Sequence, residues 1–126
     1  MKTAIIVIAS FILILTLIVA NSLYISSKTE QLTEILSLLD KAVSVERWEE
    51  SDGLLKTAEE EWESATRIFE VVMRHAETEE VEQSLAYIKK SIMERDKPNT
   101  LLELSKIRQR ILHIQDADKI KLRNLF

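Results

Sequence analysis

The sequence predicts an all-α protein in which an N-terminal transmembrane helix precedes a small bundle of about four helices. Composition is the first reason, because the 126 residues include one Gly and one Pro, against averages of roughly 7% and 5% in soluble proteins. Sandwiches, barrels and doubly wound sheets need many tight turns rich in these residues, so each is disfavoured. The second reason is that apolar residues recur at helical spacing along most of the chain.

Residues 1–25 are predicted to form a membrane anchor that spans the bilayer once, from residue 4 to residue 25. This span carries no charge, and between residues 4 and 20 only Ser10 and Thr16 are polar. At a rise of about 1.5 Å per residue, its length crosses a hydrocarbon core of about 30 Å. A cleaved signal peptide is the alternative, although the apolar core of such a peptide is normally about 7–15 residues long.

The charge on Lys2 favours a cytoplasmic N-terminus, which places the remaining domain, residues 26–126, outside the cell membrane. This domain contains 39 apolar and 37 charged residues, a balance that suits a soluble helical bundle. Its charges are unevenly spread, with 6 basic and 16 acidic side chains in residues 26–82, and 10 and 5 in residues 83–126. Helices from the two parts are expected either to attract each other or simply to carry solvated faces.

Four helical runs, arranged as two hairpins, are predicted in this domain. A capping box at Ser27 should start the first run, and the second should start near Glu46. Thr78 should cap the third and Thr100 the fourth, after a turn at residues 96–99 that holds the single Pro. The apolar faces are, in order, Leu32, Ile35, Leu36, Leu39, Ala42 and Val43; Leu55, Ala58, Trp62, Ala65, Phe69, Val72 and Ala76; Val81, Leu85, Ile88 and Ile92; and Leu101, Leu104, Ile107, Ile111 and Ile114.

The two hairpins resemble each other at an offset of 49 residues. Eight apolar positions of the first hairpin, from Leu32 to Ala65, align with eight apolar positions of the second, from Val81 to Ile114. Either an internal duplication or the heptad-like spacing that any two helical hairpins share would explain this register.

Few residues of the chain carry chemistry. The absence of Cys excludes a thiolate metal site and a Cys nucleophile, and a single Gly excludes a Gly-rich phosphate loop. His75 and the carboxylates of residues 77–80 are the candidate metal- or ligand-binding group, but helix dipoles favour the same arrangement. We therefore predict no enzyme activity, no catalytic residue, no metal and no cofactor.

Partner contacts are predicted at Trp48, Trp62, His75 and Phe126. Each Trp faces either the core or, if it is exposed, an interface, where Trp contributes strongly to binding. Phe126 gives the chain an apolar end where free ends are normally polar, so it should dock on the bundle or on a partner. The basic residues between 106 and 123 could attract anionic lipids, whereas the acidic domain argues against nucleic acid.

The order of several motifs is similar to that of a known family. The anchor is followed by Arg47-Trp48-Glu49-Glu50, Trp62, His75 with trailing acids, Ser84-Leu85-Ala86 and a C-terminal Asn124-Leu125-Phe126. This arrangement resembles a family of small single-pass, N-terminally anchored helical proteins of unknown function from spore-forming Gram-positive bacteria. The resemblance implies a fold and a location, brings no reaction, and suggests another membrane protein as the partner.

The favoured hypothesis is a non-enzymatic, membrane-anchored helical module that binds another protein at the outer face of the cytoplasmic membrane. One alternative is a ligand- or metal-sensing bundle that uses His75 and nearby carboxylates. The other is a bitopic coiled-coil structural protein, which requires a long uninterrupted helix from the membrane and self-association. A homo-oligomer is compatible with all three.

Overall fold

The computed structural model of the chain describes residues 1–72 and 75–125, without the side chains of residues 68–72, 75, 121, 122 and 125. Four helices are present in these ranges: α1 (Lys2–Ser44), α2 (Trp48–Val72), α3 (His75–Met93) and α4 (Lys97–Leu125). The first is long and apolar, and the described residues contain no strand. The predicted all-α class, with an N-terminal apolar helix and a small bundle, is confirmed.

The helices pack in a ring. Helix α1 contacts α2 and α4, and α3 contacts the same two helices. The connections at residues 45–47 and 94–96 are three residues long, so each reverses the chain and makes its two helices antiparallel neighbours. The result is an up-and-down four-helix bundle built from two hairpins, α1–α2 and α3–α4.

Helix α1 is continuous over 43 residues, a length of about 64 Å. Its first half is exposed to residue 20 apart from two half-buried positions, whereas a stripe that begins at Ile25 is buried in the bundle. The predicted start at Ser27 is wrong, because the preceding residues are helical and leave no free N–H groups to cap. Two Thr hydroxyls just beyond Ser27 bond within the helix: Thr29 Oγ1 donates to the Ile25 carbonyl at 2.8 Å and Thr33 Oγ1 to the Thr29 carbonyl at 2.7 Å.

The core is built from the apolar residues that align between the two hairpins. All sixteen aligned apolar residues of the two hairpins are buried, and Ile25 completes the cluster among the described residues. In α2, Trp62 is flanked by Ala58 and Ala65, whereas α4 has Ile at all three equivalent positions. One large ring between two small side chains fills the core where α4 uses three medium ones, as close packing requires.

The predicted apolar faces are buried with few exceptions. Ile35 and Leu101 are half-buried at the edge of the core, and Phe69 and Val72 fall among the side chains that are not described. Ala76 is exposed and lies in α3. Its assignment to the second run is wrong, because α2 ends at Val72 and a new helix starts at residue 75.

The repeat extends to the backbone of both hairpin turns. In the first turn the N–H of Glu46 donates to the Val43 carbonyl at 3.0 Å, and that of Arg47 donates to the Ala42 carbonyl at 2.9 Å. The residues 49 positions later make the same two bonds, also at 3.0 and 2.9 Å. Glu46 and its equivalent Arg95 have φ angles of 60° and 53°. Each hairpin therefore closes with a Schellman motif whose left-handed residue is not Gly.

The helices after these turns also begin alike. Helix α4 starts at Lys97 after Asp96, whose Oδ1 accepts the N–H of Asn99 at 3.2 Å, so the predicted cap at Thr100 is wrong. Thr100 is buried and donates its hydroxyl to the Asp96 carbonyl at 2.6 Å, and the equivalent Ser51 donates to the Arg47 carbonyl one hairpin earlier. The predicted start of the second helix near Glu46 lies two residues before its observed start at Trp48. The predicted cap at Thr78 is wrong, because α3 already begins at residue 75.

Glycine at the two left-handed positions is expected to stabilise the fold. The left-handed conformation costs a side-chain-bearing residue about 1 kcal/mol that Gly does not incur. Glu46→Gly and Arg95→Gly should each raise the free energy of unfolding by up to that amount, measured by urea unfolding of the full chain in mild detergent. Val45→Gly is the control, because Val45 has a φ of −102° and Gly there should only destabilise. A loss of stability in Glu46→Gly equal to the control would contradict the turn geometry.

Candidate partner-binding groove

The seam between α2 and α3 opens into a groove of about 370 Å³. Its floor is apolar, since Trp62 and Leu85 reach it from the core. Its rim is mainly acidic, with a single cation at one end. The lining residues are Glu59, Trp62, Glu63 and Thr66 on α2, and Glu82, Leu85, Ala86 and Lys89 on α3.

Helical spacing explains why these residues share a groove. On α2 the lining positions are 59, 62, 63 and 66, and on α3 they are 82, 85, 86 and 89. Both sets follow the i, i+3, i+4, i+7 pattern, which forms one continuous stripe on a helix. Each stripe therefore borders the core stripe of its helix, and the antiparallel packing of α2 on α3 brings the two stripes together.

The repeat makes the α1–α4 seam the counterpart of this groove. There, Arg108 Nη1 lies 3.2 Å from Asp40 Oδ2 and bridges the two helices. The positions 49 residues away in the α2–α3 seam are Glu59 and Lys89, which carry the opposite signs. Among the described residues no ion pair joins Glu59 to Lys89. One seam is thus bridged by its charges, while in the other the equivalent charges line an open surface.

A second groove of about 400 Å³ lies between α3 and α4 and is lined mainly by residues with charged or polar side chains. Its principal cation, Arg110, is already engaged by α3: Nη1 donates to the Glu80 carbonyl at 3.0 Å and to the Ser84 hydroxyl, and Nε lies 3.9 Å from Glu80 Oε2. His113 also lines this groove and is exposed. Because Arg110 holds the two helices together, we assign this groove a structural role.

The described residues contain no group of three His, Asp or Glu side chains placed to bind a metal ion. The side chain of His75, the centre of the metal-binding alternative, lies outside the described residues. Because the α3–α4 groove is assigned a structural role, we take the α2–α3 groove as the candidate site within the described part of the chain.

Comparison with known proteins identifies the family. The sequence profile described as domain of unknown function DUF4363 matches residues 19–125, which include the whole bundle and the last part of the apolar segment. The chain belongs to the DUF4363 family. No curated protein and no solved structure matches it.

The four predicted contact residues of this DUF4363 protein lie in different places. Trp62 is 3% exposed and forms the groove floor, whereas Trp48 is half-buried against the core at the first turn of α2. The side chain of His75 and the whole of Phe126 lie outside the described residues. The structure thus unites Trp62 with the acids around it, but it does not bring Trp48 into the groove.

Glu82, Leu85 and Lys89 are groove residues that sequence reasoning missed. The sequence does contain a pattern that points to them, because polar and small side chains lie next to the apolar stripe of α3 at the same spacing as in α2. Recognising it requires knowledge that α3 packs beside α2, and periodicity within one helix does not provide that knowledge.

The burial of Trp62 predicts a large loss of stability when it is truncated. Trp62→Ala leaves a cavity between Ala58 and Ala65, and such core substitutions cost about 3–5 kcal/mol. Trp48→Ala should cost less, because Trp48 is half-buried. Leu112→Ala, at a position 49% exposed, is the control and should change stability by less than about 0.5 kcal/mol. Equal losses for Trp62→Ala and Leu112→Ala in urea unfolding would refute this placement.

Proposed function

We propose that this DUF4363 protein is a membrane-anchored, non-enzymatic interaction module whose α2–α3 groove binds a basic amphipathic helix of another membrane protein. One observation carries the proposal: the same helix, α1, is apolar and exposed in its first half and buried in the bundle in its second. The proposed membrane anchor thus continues without a break into the bundle that holds the groove.

The first half of α1 has the properties of a lipid-facing segment. Nine large apolar side chains between residues 5 and 17 are each 55–65% exposed, and this helix is long and apolar enough to cross a membrane. These side chains point in all directions around the helix, whereas a helix that packs on one partner is apolar on one side. Hydrocarbon on every side is the environment that suits this pattern.

The direction of insertion follows from charge and from the family resemblance. Lys2 is the only charged side chain before the span, and positive charge favours the cytoplasmic side. The bundle then lies at the outer face of the cytoplasmic membrane, as in the anchored Gram-positive proteins that the sequence resembles.

The chemistry of the groove defines the partner. Three Glu side chains on its rim, with one Lys, favour a partner that carries Lys or Arg. The apolar floor at Trp62 and Leu85 favours one that also presents an apolar stripe. A helix with both features can lie along a groove between two helices, which is a common mode of recognition.

The coiled-coil alternative requires the apolar stripe of α1 to be available to a second chain. Beyond residue 25 this stripe is covered, because α2 and α4 pack on it. The observed packing therefore favours the interaction module over a coiled coil that pairs through α1.

Topology can be tested with single cysteines, because the chain has none. Thr3→Cys and Ser64→Cys place a thiol on each side of the proposed span, both at exposed positions. In intact cells, a membrane-impermeant maleimide should label Ser64→Cys and should label Thr3→Cys only after lysis. The chain should also resist alkaline extraction. Release of a shortened chain would indicate a cleaved signal peptide, and labelling of Thr3→Cys in intact cells would reverse the orientation.

Reversing charges on the groove rim should abolish partner binding. Glu63→Lys combined with Glu82→Lys places positive charge on both walls and should weaken capture of a basic helix by at least about tenfold. The measurement is the yield of photo-crosslinks from a probe at Ala86 in native membranes. Glu30→Lys combined with Glu34→Lys changes the net charge equally, at exposed positions outside the groove, and should leave the yield unchanged. An equal effect of both pairs would contradict a specific groove.

A further inference from the structure

We infer that the C-terminal end of α4 forms a second membrane contact, at which Lys119 and Arg123 bind the headgroups of anionic phospholipids. The inference rests on one part of the proposed function, the anchoring of α1 in the bilayer. It does not depend on the α2–α3 groove.

A hydrogen bond between α1 and α4 fixes the level of this segment. The Ser22 hydroxyl donates to Asp118 Oδ2 at 2.8 Å, and Ser22 lies near the end of the uncharged stretch of α1. Helix α4 continues for seven more residues to Leu125, a distance of about 10 Å. Because the two helices are antiparallel, this final part of α4 lies alongside residues 15–21 of α1, in the outer half of the proposed span.

Burial along α1 agrees with this placement. Leu15 and Ile18 are the two half-buried residues between positions 4 and 20, where the others are exposed. Their spacing places them on the same stripe as Ser22 and Ile25, which face the rest of the bundle. The bundle side of α1 therefore remains partly covered to a level below Ser22, within the apolar segment.

The exposed face of this part of α4 carries side chains that can reach the headgroups from the outer part of the hydrocarbon. Lys119 and Arg123 are exposed and four residues apart, so they lie on one face. Ile120, between them in sequence, is 49% exposed. Long basic side chains can keep their charge among phosphates while their methylene stems lie against apolar surface. The acid on this face, Asp116, is exposed and lies one turn further from the bilayer.

Charge and position together select a lipid rather than a protein as the occupant. Basic residues beside a span attract anionic headgroups and contribute about fivefold each to their local enrichment. Any protein partner at this level would have to displace the lipid that surrounds α1. Basic residues at a helix C-terminus also stabilise the helix dipole, so the experiment must separate lipid binding from a structural role.

The test uses the full chain in lipid vesicles. Asn124→Cys, exposed in α4, carries a fluorophore, and quenching is measured with spin-labelled phosphatidylglycerol or phosphatidylcholine at equal mole fraction. With Lys119 and Arg123 intact, quenching by spin-labelled phosphatidylglycerol should exceed quenching by phosphatidylcholine several-fold. Lys119→Gln combined with Arg123→Gln should abolish this difference. Lys41→Gln combined with Lys90→Gln is the matched control, because both residues are exposed in the last turns of α1 and α3, at the far end of the bundle.

Three results would overturn the inference. Absence of quenching by either lipid would place the end of α4 away from the bilayer, and equal quenching by both would remove the headgroup preference. A lower melting temperature of the Gln double variant, with its lipid preference intact, would assign the two cations to the helix dipole alone.

Two controls distinguish the lipid contact from a free-phosphate site and from a failure of the anchor. Inorganic phosphate should displace the labelled lipid no more than chloride does at the same ionic strength, and stronger displacement would indicate a free-phosphate site and refute the inference. Flotation with the vesicles tests the anchor separately. A chain that fails to float refutes the anchoring itself, whereas one that floats without a lipid preference refutes only the contact by α4.

Discussion

The structure depends on one continuous helix whose two halves have different surfaces. The first half of α1 is apolar on all sides, and its second half is apolar on the stripe that α2 and α4 cover. Because no break separates the halves, the bundle has a fixed distance and rotation relative to any bilayer that holds the first half. The depth of every other helix end relative to that bilayer then follows from the rise per residue along its helix. The hydrogen bond between Ser22 and Asp118 fixes the position of the C-terminal part of α4 relative to α1.

The two similar hairpins supply a core with internal symmetry, and the charged residues around it do not share that symmetry. Lys28 pairs with Glu61 at 3.4 Å in the first hairpin, and the equivalent residues of the second, Glu77 and Arg110, have the opposite signs. The same exchange relates Asp40 and Arg108 to Lys89 and Glu59. Ion pairs that remain partly open to solvent, as these do, contribute little to stability, so their sign can vary while the core is kept. The exchange makes α2 acidic and α4 basic, and it leaves one seam bridged and the other open.

Periodicity predicts the core well, because burial in a bundle depends on which face of a helix a residue occupies, and spacing alone determines that face. Helix ends are predicted poorly. Ser27, Thr78 and Thr100 can each cap a helix or bond to a carbonyl one turn earlier within it, and the choice depends on whether the preceding residues are helical. The groove cannot be predicted from one helix at a time, because its walls come from α2 and α3. The sequence marks its floor at Trp62, but it does not mark the opposite wall at Glu82 and Lys89.

Trp62 belongs both to the hydrophobic core and to the lining of the candidate site. Its side chain lies between Ala58 and Ala65 on α2, is buried in the core, and also lines the floor of the groove. A substitution at Trp62 changes packing and binding surface together, and its effect on binding cannot be separated from its effect on stability. The rim acids differ, because Glu63 and Glu82 are exposed and surface substitutions cost little stability. The charge of the groove rim can therefore change while the core that positions the rim stays the same.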